Sequence, residues 1–586
     1  MKYCQVLVIV YCLVTKTIGL ESDNFDQYPE TTKLKQEYDF VIIGGGTAGA
    51  ALANRLSEIS DWEILLIEAG GPEDKTEMDI PGYADVSLQR EFNWNFQTVP
   101  NKRYGSSLIK NSILVPRGKV LGGSSVINCM IYNRGNADDY NRWEQVYRNP
   151  GWSWKNVEKY FKKFEDYEVK DVITPANYFG KNGPVHMEIS SYKSELSDAF
   201  IKAAQETGLN LTTIDGPNPI GVGRIPRTIK NGFRTSANTA YLVPIRRNNL
   251  HIKLNCMVTK ILIENQTAYG VDVACADTNY KINARKEVIL SAGSIQSPQL
   301  LMLSGIGPKE HLAEHGIPLI KDLPVGNNLM DTVSIIGLQF SVNQSSFPMR
   351  DLSTINAVLT YSGTGPLSTY PMEVLAFSHP NNGNPTRETV MLSMPFDYLM
   401  CADVNLDEKT CDEVFDTKTN KQAFSLHPLL LKPKSRGTVR LQNSNPFSDP
   451  LIDFNYFSDP SDVENLLDGI KEAINIAEQP ALKPYGTKLE KNKISACDKY
   501  EFRSDDYWRC QIYELPTTFN HACGTNKMGP KDDPTAVIDA ELRVHGIDRL
   551  RVIDSSSVPE IANGRMNGPT NMLAEKGADL VKESWL

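Results

Sequence analysis

The chain has 586 residues, of which 41% are hydrophobic and 23% are charged, and its formal net charge at pH 7 is −10. This length exceeds one ordinary hydrophobic core, so we expect two domains or one large composite fold. The acidic balance, without a basic run, excludes nucleic acid and anionic membranes as expected partners.

The first residues have the pattern of a secretory signal peptide. A short charged head precedes an apolar run over residues 6–14, and Thr17 and Gly19 supply small residues for cleavage. The run is too short to span a bilayer, so we predict a signal peptide over residues 1–19, a secreted, extracellular protein and no membrane anchor. An uncleaved anchor is the alternative. Triplets compatible with glycosylation after secretion begin at Asn210, Asn265 and Asn343.

Eight cysteines follow the signal segment, and some are close in sequence. In an oxidising compartment, close pairs are candidates for short-loop disulfides. The two candidate pairs are Cys401 with Cys411 and Cys497 with Cys510. Cys129 and Cys256 stand in apolar contexts, so we expect them to be buried free thiols.

A dinucleotide-binding fingerprint lies near the start of the mature chain. An apolar strand over residues 38–43 runs into Gly-x-Gly-x-x-Gly at residues 44–49, where a helix begins, and a second apolar strand over residues 64–67 ends on Glu68. A glycine-rich turn without a ligand is the alternative, but strand, helix, second strand and acid occur in the required order. The segment therefore predicts an ADP-containing cofactor.

Each residue of the fingerprint has an expected role. Gly44 allows a sharp turn, Gly46 allows the backbone to approach the pyrophosphate, and Gly49 allows the helix to pack close to the strand. The N–H groups at the helix start then face the phosphates. Glu68 is placed to accept hydrogen bonds from ribose hydroxyls.

Later segments predict further strands and helices. Residues 37–134 alternate strand, turn and helix, which is typical of a doubly wound parallel sheet. Val157, Tyr160 and Phe161 have helical spacing, and the strand over residues 287–291 enters a second strand–glycine–helix junction at Gly293. We expect the chain to return there to the cofactor domain.

The second half of the chain begins irregularly. Residues 331–425 are rich in Ser, Asn, Pro and Thr with weak periodicity, which predicts a substrate-side cap or lid, or else a solvated insertion. After it we expect a strand over residues 437–441 and an amphipathic helix over 463–478. We also expect a strand over 550–554 that leads to a helix near Pro569.

Three more segments, together with the fingerprint, resemble a known family. They are residues 116–128, 293–307 and 521–530. The first two resemble the two signatures of the glucose–methanol–choline (GMC) oxidoreductases, and the third resembles their catalytic-histidine segment. The whole mature chain is similar to the insect branch of secreted, glucose dehydrogenase-like members.

The resemblance implies an α/β (α+β) fold, in which a Rossmann-like FAD-binding domain is joined to a discontinuous substrate-binding domain. The implied divisions are an FAD-binding N-terminal region over residues 36–330 with a substrate-domain insertion at about 150–225, a mainly substrate-binding or cap region over 331–535, and a return to the FAD domain over 536–586, with the GMC C-terminal region at about 430–580.

The resemblance also implies the residues that hold FAD. Those around the ADP half are Gly44, Gly46, Thr47, Ala48, Gly49 and Glu68. Those at the pyrophosphate and flavin are Gly122, Gly123, Ser124, Asn128 and Asn567, with Val258 near the adenine and Asp554 near the ribityl chain. Some family members attach FAD through a histidine just before the asparagine of the first signature. Ile127 stands there, so FAD is expected to be non-covalent.

His521 matches the base of the family. Alcohol oxidation removes the hydroxyl proton and transfers the carbon-bound hydrogen to flavin N5 as hydride, so a base must lie within reach of the hydroxyl. A neutral imidazole suits this task near pH 7. The resemblance implies oxidation of a primary alcohol to an aldehyde, with O2 or a quinone-like compound as electron acceptor. We prefer a small aromatic or allylic alcohol as substrate.

Arg565 departs from the family pattern, because it stands where a second catalytic His or Asn belongs. An arginine cannot act as a base, but it can donate to the alcohol oxygen and favour an alkoxide. It is also large enough to fill the alcohol site, and Asn563 or Asn567 could replace it if the loop shifts register. The alternatives are therefore an impaired or repurposed paralogue and a redox-silent lyase.

His311 and His315 are spaced i, i+4, as in some metal sites. No third ligand is evident in the sequence, so we expect no metal there.

Overall fold

The protein is described by a computed structural model, which covers residues 28–586 except 75, 85–90, 170–172, 277, 345–361, 380–384, 395–397, 417–420 and 492–493. The predicted signal peptide lies outside the described residues.

The strands are numbered along the chain. They are β1 (Glu37–Ile43), β2 (Ile64–Ile67), β3 (Phe96–Gln97), β4 (Leu114–Val115), β5 (Glu165–Tyr167), β6 (Val185–Met187), β7 (Gly221–Arg224), β8 (Ile229–Lys230), β9 (Phe233–Arg234), β10 (Leu250–Lys253), β11 (Cys256–Glu264), β12 (Thr267–Cys275), β13 (Asn279–Leu290), β14 (Ile306–Gly307), β15 (Lys321–Asp322), β16 (Val333–Ile335), β17 (Gln339–Ser341), β18 (Val374–Ser378), β19 (Arg387–Leu392), β20 (Ala423–Leu430), β21 (Thr438–Arg440), β22 (Leu451–Asp453), β23 (Lys488–Leu489), β24 (Pro516–Thr518) and β25 (Leu550–Val552).

The α-helices are numbered in the same way. They are α1 (Thr47–Leu56), α2 (Thr76–Asp79), α3 (Ala137–Gln145), α4 (Trp154–Phe164), α5 (Glu195–Glu206), α6 (Gly293–Leu303), α7 (Lys309–Glu314), α8 (Tyr398–Asp403), α9 (Glu408–Phe415), α10 (Pro460–Ala477), α11 (Asp505–Glu514) and α12 (Asn567–Trp585).

The first sheet has the order β10-β2-β1-β13-β12-β11, and β25 also pairs with β13. The strands β10, β2, β1, β13 and β25 are parallel, whereas β12 and β11 form an antiparallel extension. Val41, Ile42 and Ile43 of β1 and all four residues of β2 are apolar and buried, as is typical of a parallel sheet. The predicted parallel sheet is confirmed for β1 and β2, but β3 and β4, which also lie within residues 37–134, form a separate antiparallel pair.

Helix α12 closes this half of the molecule against α1. Arg55 on α1 forms an ion pair with the buried Glu575 on α12, with Nε and Oε2 2.8 Å apart. Tyr241 donates a hydrogen bond from its hydroxyl to the same carboxylate. The last helix of the chain therefore packs on the first helix of the fingerprint.

The second sheet is antiparallel, with the order β23-β17-β20-β19-β18-β7, and β16 pairs with both β20 and β24. Five of its strands, β16 to β20, begin within residues 331–425. The prediction that residues 331–425 are irregular is wrong for these strands, while the substrate-side role of this segment stays a prediction. Every residue of β19 and β20 is buried, so their sequences lack the polar–apolar alternation that marks a half-exposed strand.

Other predicted elements are confirmed. Helix α4 buries Val157, Tyr160 and Phe161 on one face. The chain leaves β13, turns at Gly293 with φ +82°, and enters α6. Helix α10, strand β25 and helix α12 lie where the sequence predicts them.

Three disulfides link six of the eight described cysteines. The predicted pairs Cys401–Cys411 and Cys497–Cys510 are confirmed. The prediction that Cys256 is a free thiol is wrong, because it bonds to Cys275. These residues lie directly opposite each other on β11 and β12, a register that their apolar sequence contexts do not reveal. Cys129 is a half-buried thiol that lines a cavity described below.

Within the described part of the chain, no helix is both long and apolar enough to cross a membrane.

Candidate active site

A cavity of about 410 Å³ is lined by residues from both sheets and their connections. Its lining runs from Ile43 at the end of β1 to Thr570 in α12. Its size is within the range of ligand sites in proteins.

Two helices begin at this cavity. Gly46 precedes α1, whose N-terminus has no side-chain cap, whereas Ala292 precedes α6, whose first N–H groups donate to Ser297 and Asp554. The uncapped N–H groups of α1 carry the positive end of its helix dipole, which favours an anion. The fingerprint helix therefore presents the phosphate-binding end that the sequence predicts.

Glycines allow the backbone to close around this end. A Cβ atom on Gly44, whose φ is +97°, would lie 2.6 Å from the carbonyl oxygen of Ser291, and one on Gly49 would lie 1.8 Å from the carbonyl oxygen of Gly44. Gly123 packs against the same turn, since a Cβ atom on it would lie 2.6 Å from the Cα of Gly46. We call these closely packed glycines the glycine cradle.

Most of the predicted cofactor residues line the cavity, but two do not. Those that do are Gly44, Gly46, Thr47, Ala48, Glu68, Gly123, Ser124, Asn128, Val258, Asp554 and Asn567. Gly49 and Gly122 lie behind the lining. Gly122 forms a left-handed turn with φ +100°, so its place in the first signature is explained by the turn.

Glu68 is held at the end of β2 by backbone N–H groups. Its Oε2 accepts from Gly45 at 2.7 Å and its Oε1 accepts from Gly70 at 2.8 Å. Burial raises the pKa of this carboxyl group to about 7, against these hydrogen bonds. Each oxygen has a second lone pair, so Glu68 can also accept from a hydroxyl in the cavity.

Two predicted cofactor residues also have structural contacts. Asp554 accepts from the N–H of Gly293 at 2.9 Å and from the hydroxyl of Ser297 at 2.6 Å, so its carboxylate fixes the start of α6. Asn128 accepts at Oδ1 from Arg234 at 2.8 Å. These side chains shape the cavity wall.

His521 lies three residues after β24 and lines the cavity. Strands β16 and β24 pair with Val333 opposite Thr518, so the residues before β16 run beside those after β24. Thr332 Oγ1 therefore lies 2.6 Å from His521 Nδ1, and Asp331 Oδ1 accepts from the His521 backbone N–H at 2.7 Å. These contacts fix both the ring and the backbone of His521.

The surroundings of His521 favour its neutral form. Burial, followed by the positive charges of Arg565 and Arg117, holds its pKa well below the usual 6.5. Where Thr332 accepts from Nδ1–H, Nε2 keeps the lone pair that a base requires.

Arg565 lines the same cavity but is drawn to one wall. Its Nη2 and Nη1 donate to Glu388 Oε1 and Oε2 at 2.6 and 3.0 Å, and its guanidinium lies 5.7 Å from the centre of the Phe519 ring. Glu388 is on β19 and its side chain is fully buried. The loop before α12 is anchored too, because Asn563 donates from its backbone N–H to Asp139 at 2.8 Å.

Comparisons with known proteins identify the family. The GMC oxidoreductase models match residues 38–334 and 433–574. The chain is 37% identical over its full length to "Glucose dehydrogenase [FAD, quinone]" of Drosophila pseudoobscura pseudoobscura, covering 92% of that protein. It is 34% identical over 99% of its length to "Ecdysone oxidase" of Bombyx mori, covering 86% of that protein.

A solved structure agrees with these relatives. The pyridoxine 4-oxidase from Mesorbium loti superposes with a TM-score of 0.79 at 26% identity, over 92% of this chain and 98% of that one. The chain belongs to the GMC oxidoreductase family. It is a flavoprotein that binds FAD and acts on CH–OH groups, with the GMC fold that its sequence predicts.

The cavity of this GMC oxidoreductase fits FAD. The uncapped start of α1, the close glycine cradle and Glu68 offer contacts for a pyrophosphate and a ribose. In addition, Arg117 Nη2 is buried beside the cavity without a hydrogen-bond partner among the described residues, so an acceptor on a bound molecule would satisfy it.

Sequence reasoning missed several residues of the site. Asp331 and Thr332 contact His521, Glu388 binds Arg565, and His427 on β20 also lines the cavity. Burial lowers the pKa of His427 to about 4. No local motif marks these residues, because strand pairing in the second sheet brings them to the cavity.

The expectation that His311 and His315 lack an evident third ligand is wrong. Glu314 brings a carboxylate within reach of both rings. However, His311 Nε2 already accepts from the backbone N–H of Leu441 at 3.0 Å. This group lies outside the cavity lining.

Proposed function

We propose that the protein is a secreted FAD-dependent oxidoreductase that oxidises a small, largely apolar primary alcohol, aromatic or allylic, to the aldehyde. The observation that carries the proposal is the presence of His521 and Arg565 on the wall of one cavity, with the imidazole fixed by Thr332. FAD, when bound, accepts the carbon-bound hydrogen of the alcohol with its electron pair.

His521 takes the hydroxyl proton in this proposal. Its ring is held at Nδ1, which leaves Nε2 to receive the proton as the C–H bond breaks. The low pKa keeps the imidazole unprotonated at neutral pH, so the base is present before substrate arrives.

Arg565 assists as a donor. A guanidinium has five N–H groups, and Glu388 occupies two of them, which leaves three for the alcohol oxygen or other acceptors. Because Glu388 and Phe519 hold the side chain against one wall, Arg565 does not close the cavity. This supports an active enzyme over an impaired paralogue.

The lining supports an apolar substrate. Apolar and aromatic side chains line the cavity beside the polar His521, Arg565, His427, Thr517, Thr518 and Asn520. The apolar and aromatic side chains include Trp94, Ile131, Tyr370, Met372, Leu392, Met400 and Phe519. A sugar would leave many hydroxyl groups without partners against such a surface.

Names of relatives are consistent with alcohol chemistry but differ in substrate: glucose, ecdysone and pyridoxine. The acceptor named for the Drosophila relative is quinone. For this chain we propose O2 or a quinone-like compound, to be distinguished by experiment. FAD is proposed to be non-covalent, since Ile127 replaces the histidine that attaches it in some members.

Secretion is supported by the signal-like first residues, by three disulfides, and by the exposure of the predicted glycosylation asparagines. For the third triplet, Ser345 lies outside the described residues.

The test is anaerobic mixing of the flavoprotein with glucose, benzyl alcohol and allylic alcohols, while the flavin absorbance is followed. We expect benzyl or allylic alcohol to bleach the flavin in the native protein and in Phe447→Ala, an exposed control site. Admission of air then separates an oxidase, which recovers its colour, from a dehydrogenase that needs a quinone.

Other outcomes contradict the proposal. Bleaching by glucose alone would contradict the apolar substrate. Absence of bleaching in the native protein, with bleaching in Arg565→Asn, would show that the arginine blocks the ancestral reaction. Cleavage of a substrate without any bleaching would indicate the lyase alternative.

A further inference from the structure

Arg565 lines the cavity and pairs with Glu388, which lies behind the lining with its side chain fully buried. Arg565 donates from both terminal nitrogens to both carboxylate oxygens of Glu388, at 2.6 and 3.0 Å. This two-pronged geometry is the one by which arginine recognises a carboxylate on a ligand. Glu388 thus occupies the position that an acidic ligand of Arg565 would take.

Within the described part of the chain, Arg565 is the residue that donates to the carboxylate of Glu388. This carboxylate is fully buried, and it accepts one hydrogen bond on each oxygen. The face of the guanidinium is covered by Phe519 at 5.7 Å. One edge of Arg565, with one N–H group of each terminal nitrogen, and one face are therefore engaged by the protein itself.

The charges around His521 give this pairing a consequence. Arg565 and Arg117 are the cations that act on His521. A free Arg565 would attract carboxylates to the wall beside His521, including acids that resemble oxidised alcohols. With Glu388 in place, the pair adds no net charge to that wall.

We propose that Glu388 is a specificity-determining residue that excludes anionic ligands by occupying Arg565, so that the site accepts neutral alcohols only. The part of this proposal that names alcohols as ligands rests on the proposed function. The exclusion of anions does not depend on turnover. It can therefore be tested by binding alone.

The experiment uses the FAD-loaded full-length protein and the variant Glu388→Gln. Gln has one acceptor oxygen, so one terminal nitrogen of Arg565 loses its partner. Acetate and benzoate are titrated while the flavin absorbance spectrum is followed, with acetamide and benzamide as neutral probes of the same shape.

We expect carboxylates to bind Glu388→Gln at least about tenfold more tightly than the native protein, since a hydrogen-bonded charge is regained. The amides should bind both proteins alike. The double variant Glu388→Gln/Arg565→Met should lose the gain, which would assign the binding to Arg565 and not to Arg117.

Two further variants serve as controls. Glu373→Gln changes another buried glutamate, which accepts from Ser194 and does not line the cavity, and should leave carboxylate binding unchanged. Glu388→Asp keeps the charge on a shorter side chain, so its carboxylate affinity should lie between native and Glu388→Gln.

Three results would overturn the proposal. They are tight carboxylate binding by the native protein, equal carboxylate affinity in native and Glu388→Gln proteins, or a gain that survives Arg565→Met. If Glu388→Gln does not retain FAD, the native titration and Glu388→Asp decide. A native protein that excludes carboxylates but oxidises no alcohol would refute the proposed function and leave the role of Glu388 standing.

Discussion

The half of the molecule around the first sheet, which we propose to hold FAD (the cofactor half), and the half around the second sheet, which we propose to hold the substrate (the substrate half), differ in how their sites are assembled. In the cofactor half, the fingerprint places strand, turn, helix and acid within residues 38–68, and the Glu68 carboxylate accepts from the nearby backbone N–H groups of Gly45 and Gly70. In the substrate half, Thr332 meets His521 across 189 residues and Glu388 meets Arg565 across 177. The core of the first site, the fingerprint, is local in sequence, whereas the contacts of His521 and Arg565 depend on the pairing of the second sheet.

If this contrast holds, one substitution should remove the chemistry and leave the cofactor bound. We expect His521→Ala to lower the rate constant of anaerobic flavin reduction by roughly 10²–10⁴, the usual contribution of a general base, with an unchanged flavin spectrum. Stopped-flow absorbance measures both.

His427 provides the matched control, because it is the other histidine that lines the cavity. We expect His427→Asn to lower the same rate constant by less than about tenfold. If His427→Asn lowered the rate constant of flavin reduction more than His521→Ala did, His427 and not His521 would be the base.

The converse substitution should weaken the cofactor and spare the chemistry. In Glu68→Gln, one of the two backbone N–H groups at this carboxylate loses its acceptor, so we expect the Kd for FAD to rise roughly 10–100-fold. Fluorescence of released flavin measures this, and the FAD-loaded fraction should reduce at the native rate.

Glu73→Gln is the control for that experiment. Glu73 is also buried in the cofactor half but accepts from Ser236 and does not line the cavity. An equal loss of FAD in both variants would mean that Glu68 acts only through the general stability of the fold.

The smallest expected effect is a shift in pH dependence. The pKa of His521 is lowered, so the native rate of flavin reduction should stay level as pH falls to 6.5 and decline only below it. Arg565→Met removes a cation that lowers this pKa and leaves Glu388 unpaired, and both changes raise it. The decline of the rate on the acid side should therefore begin at higher pH in this variant. A decline at the same or a lower pH would contradict the assignment of His521 as the base.

The same contrast explains what the sequence predicts. The order of strands and helices around the fingerprint, the second junction at Gly293 and the final helix near Pro569 could be predicted, because each has a local signal of glycine, apolar run or proline. Motif resemblance also located His521 and Arg565.

The remaining features are set by strand pairing. The buried strands β19 and β20 lack alternation, so the sheet that carries Glu388 and His427 reads as an irregular segment. Cys256 and Cys275 lie opposite each other only because of the β11–β12 register. Likewise, the partner of Arg565 depends on which side chains of β19 face the cavity.

The lining of the cavity from Ile43 to Thr570 has a consequence for biosynthesis. A ribosome makes the fingerprint early, but β25 and α12 leave it last, and α12 carries the Glu575 that binds Arg55. The nascent chain therefore cannot enclose FAD until translation is nearly complete. A premature stop codon that removes only the last helix would yield a polypeptide with an intact fingerprint and an open cofactor site.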